Sequence, residues 1–336
     1  MVATAILSIL LAAAIIGVFI RLPYDSVAPG SARRVDDLIT VKGHQVYPPA
    51  GRVLFTTVSV REGINAWEAL GDWFDSNVDV VSEKELRGTI PAGQYHQENV
   101  AAMADSKTAA EAVALRHLGF TDLGGGAEVT SVRPGLPVSS VLRPKDVVVS
   151  VDGKAVSGPA DLIPVIRSHK PGDTLHLGVV RGDAPPADMA VTLADDKGQP
   201  LVGVVLSTKL KLPFPIAIDS GSIEGPSAGL AYSLALLDTL TPGELTGGAK
   251  VAATGELASD GSVSAIGGVI QKVVAVERAG ASVFLVPRDN YAEAKAHAGS
   301  KLKVMAIGNY DDALRALATL PGSNAGALAG AAGGHT

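Results

Sequence analysis

The sequence predicts an α/β protein preceded by a transmembrane helix, with a small mixed α/β region and a mainly-β segment in between. Three observations carry that prediction. Residues 1–20 are apolar and uncharged, short strands separated by Pro-Gly and Asp-Gly turns fill about 127–195, and strand and helix patterns alternate from about 200 to 320. At 336 residues the chain has room for about two folded domains plus further segments. Hydrophobic residues make up 47% and charged residues only 18%, which excludes bulk disorder. The 28 Lys+Arg against 34 Asp+Glu give a net charge of -6, and no basic run exceeds Arg33-Arg34, so nucleic acid is not an expected partner. The absence of cysteine removes disulfides, thiolate metal sites and a cysteine nucleophile, and no cofactor or metal is called for.

In chain order, Met1 to Ile20 matches the length of a helix crossing about 30 Å of hydrocarbon, and Arg21 ends it. The domain assigned here is an anchor over 1–22. A cleaved signal peptide is the rival, but the start is uncharged and Ser26-Val27-Ala28 is followed by Pro29. Arg21, Arg33 and Arg34 all follow the span, which on charge alone places the body in the cytoplasm. Pro23 to Gly30 reads as a linker. A mixed α/β region follows over 31–120, with a strand at Val53–Val58, an amphipathic helix at Ala66–Phe74, and a second helix at about Gln97–Leu118 stopped by Gly119.

Between 121 and 196 lie the strands Glu128–Val132 and Asp146–Val151, closed by Asp152-Gly153, then a helix at Ala160–Ser168 and a strand at Leu175–Val180. The stretches Val132-Arg133-Pro134-Gly135-Leu136-Pro137-Val138, Leu142-Arg143-Pro144-Lys145-Asp146-Val147-Val148 and Val151-Asp152-Gly153-Lys154-Ala155-Val156 resemble a PDZ domain of the kind appended to bacterial proteases. The resemblance implies capture of an extended peptide at a sheet edge. Gly124-Gly125-Gly126 is its candidate carboxylate loop, a plain flexible turn being the alternative, and Lys145 stands where many such domains have Gly.

From 200 to 320 the order is strand Pro215–Asp219, helix Pro226–Leu240, strands Lys250–Leu257 and Ser262–Ile266, helix Gly268–Ala279, strand Ser282–Val286, helix Tyr291–Ala298, strand Val304–Ile307 and helix Tyr310–Leu317. Residues 321–336 are Gly/Ala-rich and aperiodic, and read as a disordered tail.

Gly225-Pro226-Ser227-Ala228-Gly229 sets Ser227 at a helix start, where unpaired amides and the helix dipole favour a developing oxyanion. A helix-capping serine without chemistry is the alternative. The pentapeptide also fits the Gly-x-Ser-x-Gly elbow of an esterase, but Ser220–Glu224 separates it from the preceding strand. Only His297 and His335 follow it, one near a polar helix end and one in the tail. The other available base is lysine. Lys272 has Gly268, Val269, Ala275 and Val276 as its helical neighbours, so no acid pairs with it on that face, and desolvation would lower its pKa. A snorkelling surface lysine is the alternative.

Gly225-Pro226-Ser227-Ala228-Gly229, Thr254-Gly255-Glu256, Ile266-Gly267-Gly268-Val269-Ile270-Gln271-Lys272, and Ala279-Gly280 leading to Phe284-Leu285-Val286-Pro287 resemble, in that order, the proteolytic domain of Lon. The resemblance implies a Lon-type α/β fold over 200–320, Ser227 as nucleophile, Lys272 as general base, and Thr254 and Gly225 in support. With the anchor and the PDZ-like segment, the architecture resembles the membrane-anchored Lon-like proteases of Gram-positive bacteria. That implies a single-pass protein of the cell membrane with an extracytoplasmic catalytic domain, acting on protein or peptide substrates and open to homo-oligomerisation. No Gly-x4-Gly-Lys-Ser/Thr phosphate loop occurs in the sequence, so ATP-driven unfolding is not carried over. Glu224 stands where many Lon enzymes have Asp. The function expected is an ATP-independent serine endopeptidase. A PDZ peptide-binding tether with an inactive protease domain is the alternative.

Overall fold

The computed structural model of the chain describes residues 15–329 together with Thr4, Ile6 and Leu11. It divides into two compact units, one built from the chain up to Leu118 and again from Ala217, the other from Gly119–Ile216. The second unit is thus an insertion within the first.

The first unit opens with strands β1 (Tyr24–Arg34), β2 (Ile39–Val41) and β3 (Arg52–Arg61). Helix α1 (Ala66–Trp73), strand β4 (Asp79–Ser82), the short helix α2 (Glu83–Arg87) and the long helix α3 (Ala92–His117) follow. The inserted unit contains β5 (Gly124–Val132), β6 (Val147–Val151), β7 (Lys154–Ala155), α4 (Pro159–Arg167), β8 (Thr174–Val180), β9 (Ala187–Thr192), β10 (Ala194–Asp196), β11 (Gln199–Leu201) and β12 (Val204–Leu210). After β13 (Ile216–Ile218) come α5 (Gly229–Leu240), β14 (Lys250–Ala253), β15 (Glu256–Leu257), β16 (Val263–Ser264) and α6 (Val269–Arg278). The chain then runs through β17 (Val283–Pro287), α7 (Tyr291–His297), β18 (Lys303–Ile307), α8 (Tyr310–Leu317) and α9 (Ala325–Leu328).

One six-stranded sheet, in the order β18-β17-β14-β3-β1-β4, organises the first unit. Its β14, β17 and β18 pair in parallel, and every residue of β17 is buried, as expected where helices cover both faces of a parallel sheet. Helix α5 is buried along nearly its whole length, so its apolar residues need no single stripe. The sequence sets 31–120 apart from 200–320, but the structure joins them. β3 pairs in parallel with β14, Val53 opposite Val251, and Leu54, Ala252, Val273 and Phe284 share one core. Pairing across 200 residues of chain leaves no local sequence signal.

Two further expectations are corrected, and a third lies largely outside the described residues. Pro23–Gly30 is not a linker: Tyr24–Arg34 is a strand between β3 and β4, and its Pro29 is accommodated beside a bulge that falls between Pro29 and Ala32. The expected disordered tail is ordered as far as it is described. Ser323 Oγ donates to the Leu245 carbonyl, Asn324 Nδ2 donates to the Pro242 carbonyl, and Ala325 is buried, while residues 330–336 lie outside the described residues. The expected anchor over 1–22 falls largely outside the described residues. Among those described, no helix is long and apolar enough to cross a membrane.

The inserted unit is a sheet in the order β12-β5-β6-β8-β9, with β7 paired to β6, around a core that includes Val129, Val148, Leu162, Leu175 and Val191. Buried Asp146 holds its base: both carboxylate oxygens accept from Arg181, at 2.7 Å each, and one also accepts from the Arg143 amide. This hydrogen bonding by the Arg181 guanidinium lowers the Asp146 pKa. Gly124–Gly126 is the start of β5, paired with Lys209 and Leu210 of β12, rather than a free turn. Lys145 adopts φ 75°, the left-handed region where glycine is at ease, so this departure strains the backbone that enters β6.

Candidate active site

The segment 220–229 folds into a turn because of its composition. Gly225 takes φ 86°, Pro226 enters the first position of a 3-10 turn (Pro226–Ala228) where its missing amide proton costs nothing, and α5 continues from Gly229. Ser227 sits on that turn. Its carbonyl oxygen is clamped by two donors from the loop after β14, the Gly255 amide at 2.9 Å and the Thr254 hydroxyl at 3.1 Å.

Helix α6 supplies the lysine. Gly268 caps it at φ 65°, where a side chain would also meet Val58 Cγ1 at 2.6 Å, so the helix start can lie against β3 only with glycine. One turn on, Lys272 is 3% exposed, and Val269, Ala275 and Val276 around it are buried. Its Nζ donates to Ser227 Oγ at 2.9 Å and to Thr254 Oγ1 at 3.3 Å. Burial pushes the amine down to about 7 from its ordinary 10.5, with no charged neighbour contributing. An amine near 7 can exchange a proton with a hydroxyl at neutral pH; a solvated lysine cannot.

The structure therefore brings Ser227, Lys272 and Thr254 into one hydrogen-bonded cluster, with Gly225 at the turn that presents the serine. A cleft of about 840 Å³ opens over it, walled by β1, β3, α3 and the loop before α6. His297 is elsewhere: its Nδ1 faces the Glu293 carbonyl of its own helix, and His335 lies outside the described residues.

Helix α3 adds three contacts that the sequence reading missed. The Asn99 carbonyl accepts from the Gly225 amide at 3.0 Å, the Ser106 hydroxyl donates to the Pro226 carbonyl at 2.9 Å, and His96 Nδ1 lies 2.8 Å from Glu224 Oε2. Glu224 is thus turned towards α3. A helical pattern gave the existence of α3 but not its partner, which lies more than 100 residues away.

With this geometry in view, comparisons with known proteins are specific to segments. Residues 214–319 match the Lon protease (S16) C-terminal proteolytic domain, and residues 117–191 match the PDZ domain. The chain is 35% identical over 105 residues to the Lon protease of Clostridium beijerinckii, covering 30% of this chain and 13% of that protein. It is 40% identical over 82 residues to the Lon protease of Desulfosudis oleivorans, covering 24% and 10%. The chain thus spans only a small fraction of the length of these curated relatives. The PDZ domain of an SdrC-like protein from Listeria monocytogenes is 32% identical, covering 24% of this chain and 86% of that one, with a TM-score of 0.23. Part of the first unit thus resembles the proteolytic domain of a serine peptidase, Lon, and most of the inserted unit resembles a PDZ domain.

Proposed function

We propose that the chain is an ATP-independent, membrane-anchored serine endopeptidase in which Lys272 and Ser227 form the catalytic dyad. The observation that carries this reading is the 2.9 Å contact between Ser227 Oγ and an amine held at 3% exposure, with no carboxylate to keep it charged. Neutral Lys272 takes the hydroxyl proton as Ser227 Oγ attacks a peptide carbonyl, and the amides at the start of α5 stabilise the oxyanion. The lysine then gives its proton to the departing amine. Water, deprotonated by the same lysine, hydrolyses the acyl-enzyme. Thr254 is a positioning residue: it accepts from Lys272 and donates to the Ser227 carbonyl, fixing both at once.

Protein or peptide substrates reach this cleft in extended form. Within the PDZ unit, β12 is a sheet edge beside α4, which suits capture of a peptide C-terminus by strand addition. The uncharged run at 1–20 anchors the body outside the cytoplasm, a placement drawn from resemblance against the local charge count. The second reading, a PDZ tether with an inactive protease domain, is disfavoured by the intact Ser227–Lys272–Thr254 cluster. Hydrolysis of unfolded protein by the native chain and by Ser227→Ala, with and without ATP, tests the proposal. Cleavage lost in Ser227→Ala and indifferent to ATP is expected; equal cleavage by both chains overturns it.

A further inference from the structure

We propose that the exposed face of α1 is a lipid-docking surface that lies in the headgroup layer of a bilayer, beside the N-terminal apolar run. The inference rests on the reading of residues 1–22 as a membrane anchor. α1 is amphipathic, as its sequence predicts, but it is turned inside out. Trp73 and Phe74 are 83% and 84% exposed, and Trp67 and Leu70 also face outward. At 100° per residue these four side chains fall within an arc of roughly 120°. The polar side chains face the other way: Glu68 and Asp72 are half-buried, each 3.7 Å from the Arg61 guanidinium. A helix on a water-facing surface has the reverse arrangement. Both tryptophans of the chain lie on this one helix of eight residues.

What covers the face follows from where the apolar run ends. The Leu22 amide donates to the Ile64 carbonyl at 2.9 Å, and Arg21 bridges to Asn65, the capping residue of α1. Further up the run, a side chain on Gly17 would come within 2.8 Å of the Trp67 indole nitrogen, while Ile15, Ile16, Val18 and Phe19 are exposed. A span that crosses hydrocarbon and ends at Ile20 therefore leaves α1 at the boundary between lipid and water. Tryptophan, with an apolar body and one N–H, favours that boundary over either phase. The guanidinium of Arg21, two-thirds exposed, stands at the same level, within reach of lipid phosphate. The occupant is a phospholipid bilayer, and the contact holds the cleft-bearing unit against it.

The full chain carrying Trp67→Phe leaves Trp73 as its only tryptophan, and binding to phosphatidylcholine vesicles provides the test. Trp73 emission is expected to be lost most strongly when bromine is placed near the headgroup end of the acyl chains, and to become inaccessible to aqueous iodide. A vesicle-bound chain whose Trp73 is untouched by bromine and open to iodide overturns the docking surface while leaving the anchor intact. Shielding from iodide without bromine quenching assigns the face to a second copy of the chain and also overturns it. A chain that does not sediment with vesicles overturns the anchor, and the docking surface with it. The reciprocal Trp73→Phe chain gives a second reporter at Trp67, where the same bromine quenching is expected and its absence counts against docking.

Discussion

The hydroxyl of Ser106 donates to the carbonyl oxygen of Pro226, the residue before Ser227, at 2.9 Å. The donor comes from the segment before the inserted PDZ unit and the acceptor from the segment after it. Together with the bond from the Gly225 amide to the Asn99 carbonyl, it pins the turn carrying the serine to α3 at two points. Neither Asn99 nor Ser106 lies within the matched span 214–319.

Ser106→Ala should therefore lower kcat for peptide hydrolysis about tenfold, since one buried bond is worth on the order of 1 kcal/mol and the freed carbonyl costs somewhat more. KM should stay the same, and so should the pH at which activity rises, because Lys272 is untouched. Steady-state kinetics across pH give all three quantities. A raised KM at unchanged kcat would assign Ser106 to substrate binding instead.

Gly229 tests the same contact from the other side. An added Cβ would lie 2.7 Å from Ser106 Oγ and 3.1 Å from Leu257 Cβ. Alanine in place of glycine stabilises a helix by up to about 1 kcal/mol, and by less at the first position, which Gly229 holds, so here crowding should outweigh propensity and Gly229→Ala should be destabilising. Removing the hydroxyl opens that space, so Ser106→Ala/Gly229→Ala should be more stable than the sum of the single changes predicts. Urea denaturation of the four chains measures the coupling.

The helices and strands of the catalytic unit were legible because each has its own periodicity and stop signal, as with α6 between Gly268 and Gly280. The cluster of Ser227, Thr254 and Lys272 was legible through motif order. What the sequence hid was pairing at a distance: β3 beside β14, β1 inside the sheet despite Pro29 and Gly30, and α3 against the Pro226 turn. Such contacts depend on complementary surfaces, and one chain read alone carries no mark of them. The orientation of α1 was hidden for a related reason, since an amphipathic pattern gives the stripe but not which way it faces.

The PDZ unit offers an independent check on backbone strain. Lys145 is exposed and holds φ 75°, at a cost of about 1–2 kcal/mol for a residue with a Cβ, while glycine would give back roughly 0.5–1 kcal/mol in chain entropy. Lys145→Gly should raise the thermal midpoint of the PDZ unit by a few degrees. Calorimetry of the full chain measures it, and a lowered midpoint would mean the lysine side chain contributes more than its backbone loses.

The final prediction concerns the charge on Lys272. Its pKa is about 7 in the folded protein against an ordinary 10.5, and burial is the cause. The neutral amine is the active form, so peptide hydrolysis should rise with pH through about 7 and stay level above it. Lys272→Arg should be inactive at every pH, because guanidinium keeps its proton. Stability depends on protons in the same direction, but over a different window. The unfolded lysine binds a proton below its ordinary 10.5, whereas the folded one resists until about 7, so the fold is penalised progressively as pH falls across that window and by a constant amount below it. The full penalty is on the order of 5 kcal/mol. Lys272→Met removes it, so the variant should be more stable than the native chain at pH 6, and the two should converge as pH approaches about 10. Denaturation of both chains at a series of pH values isolates this group, since every other titration is shared. A difference that does not change with pH, or full activity in Lys272→Arg, would remove Lys272 from the role of base.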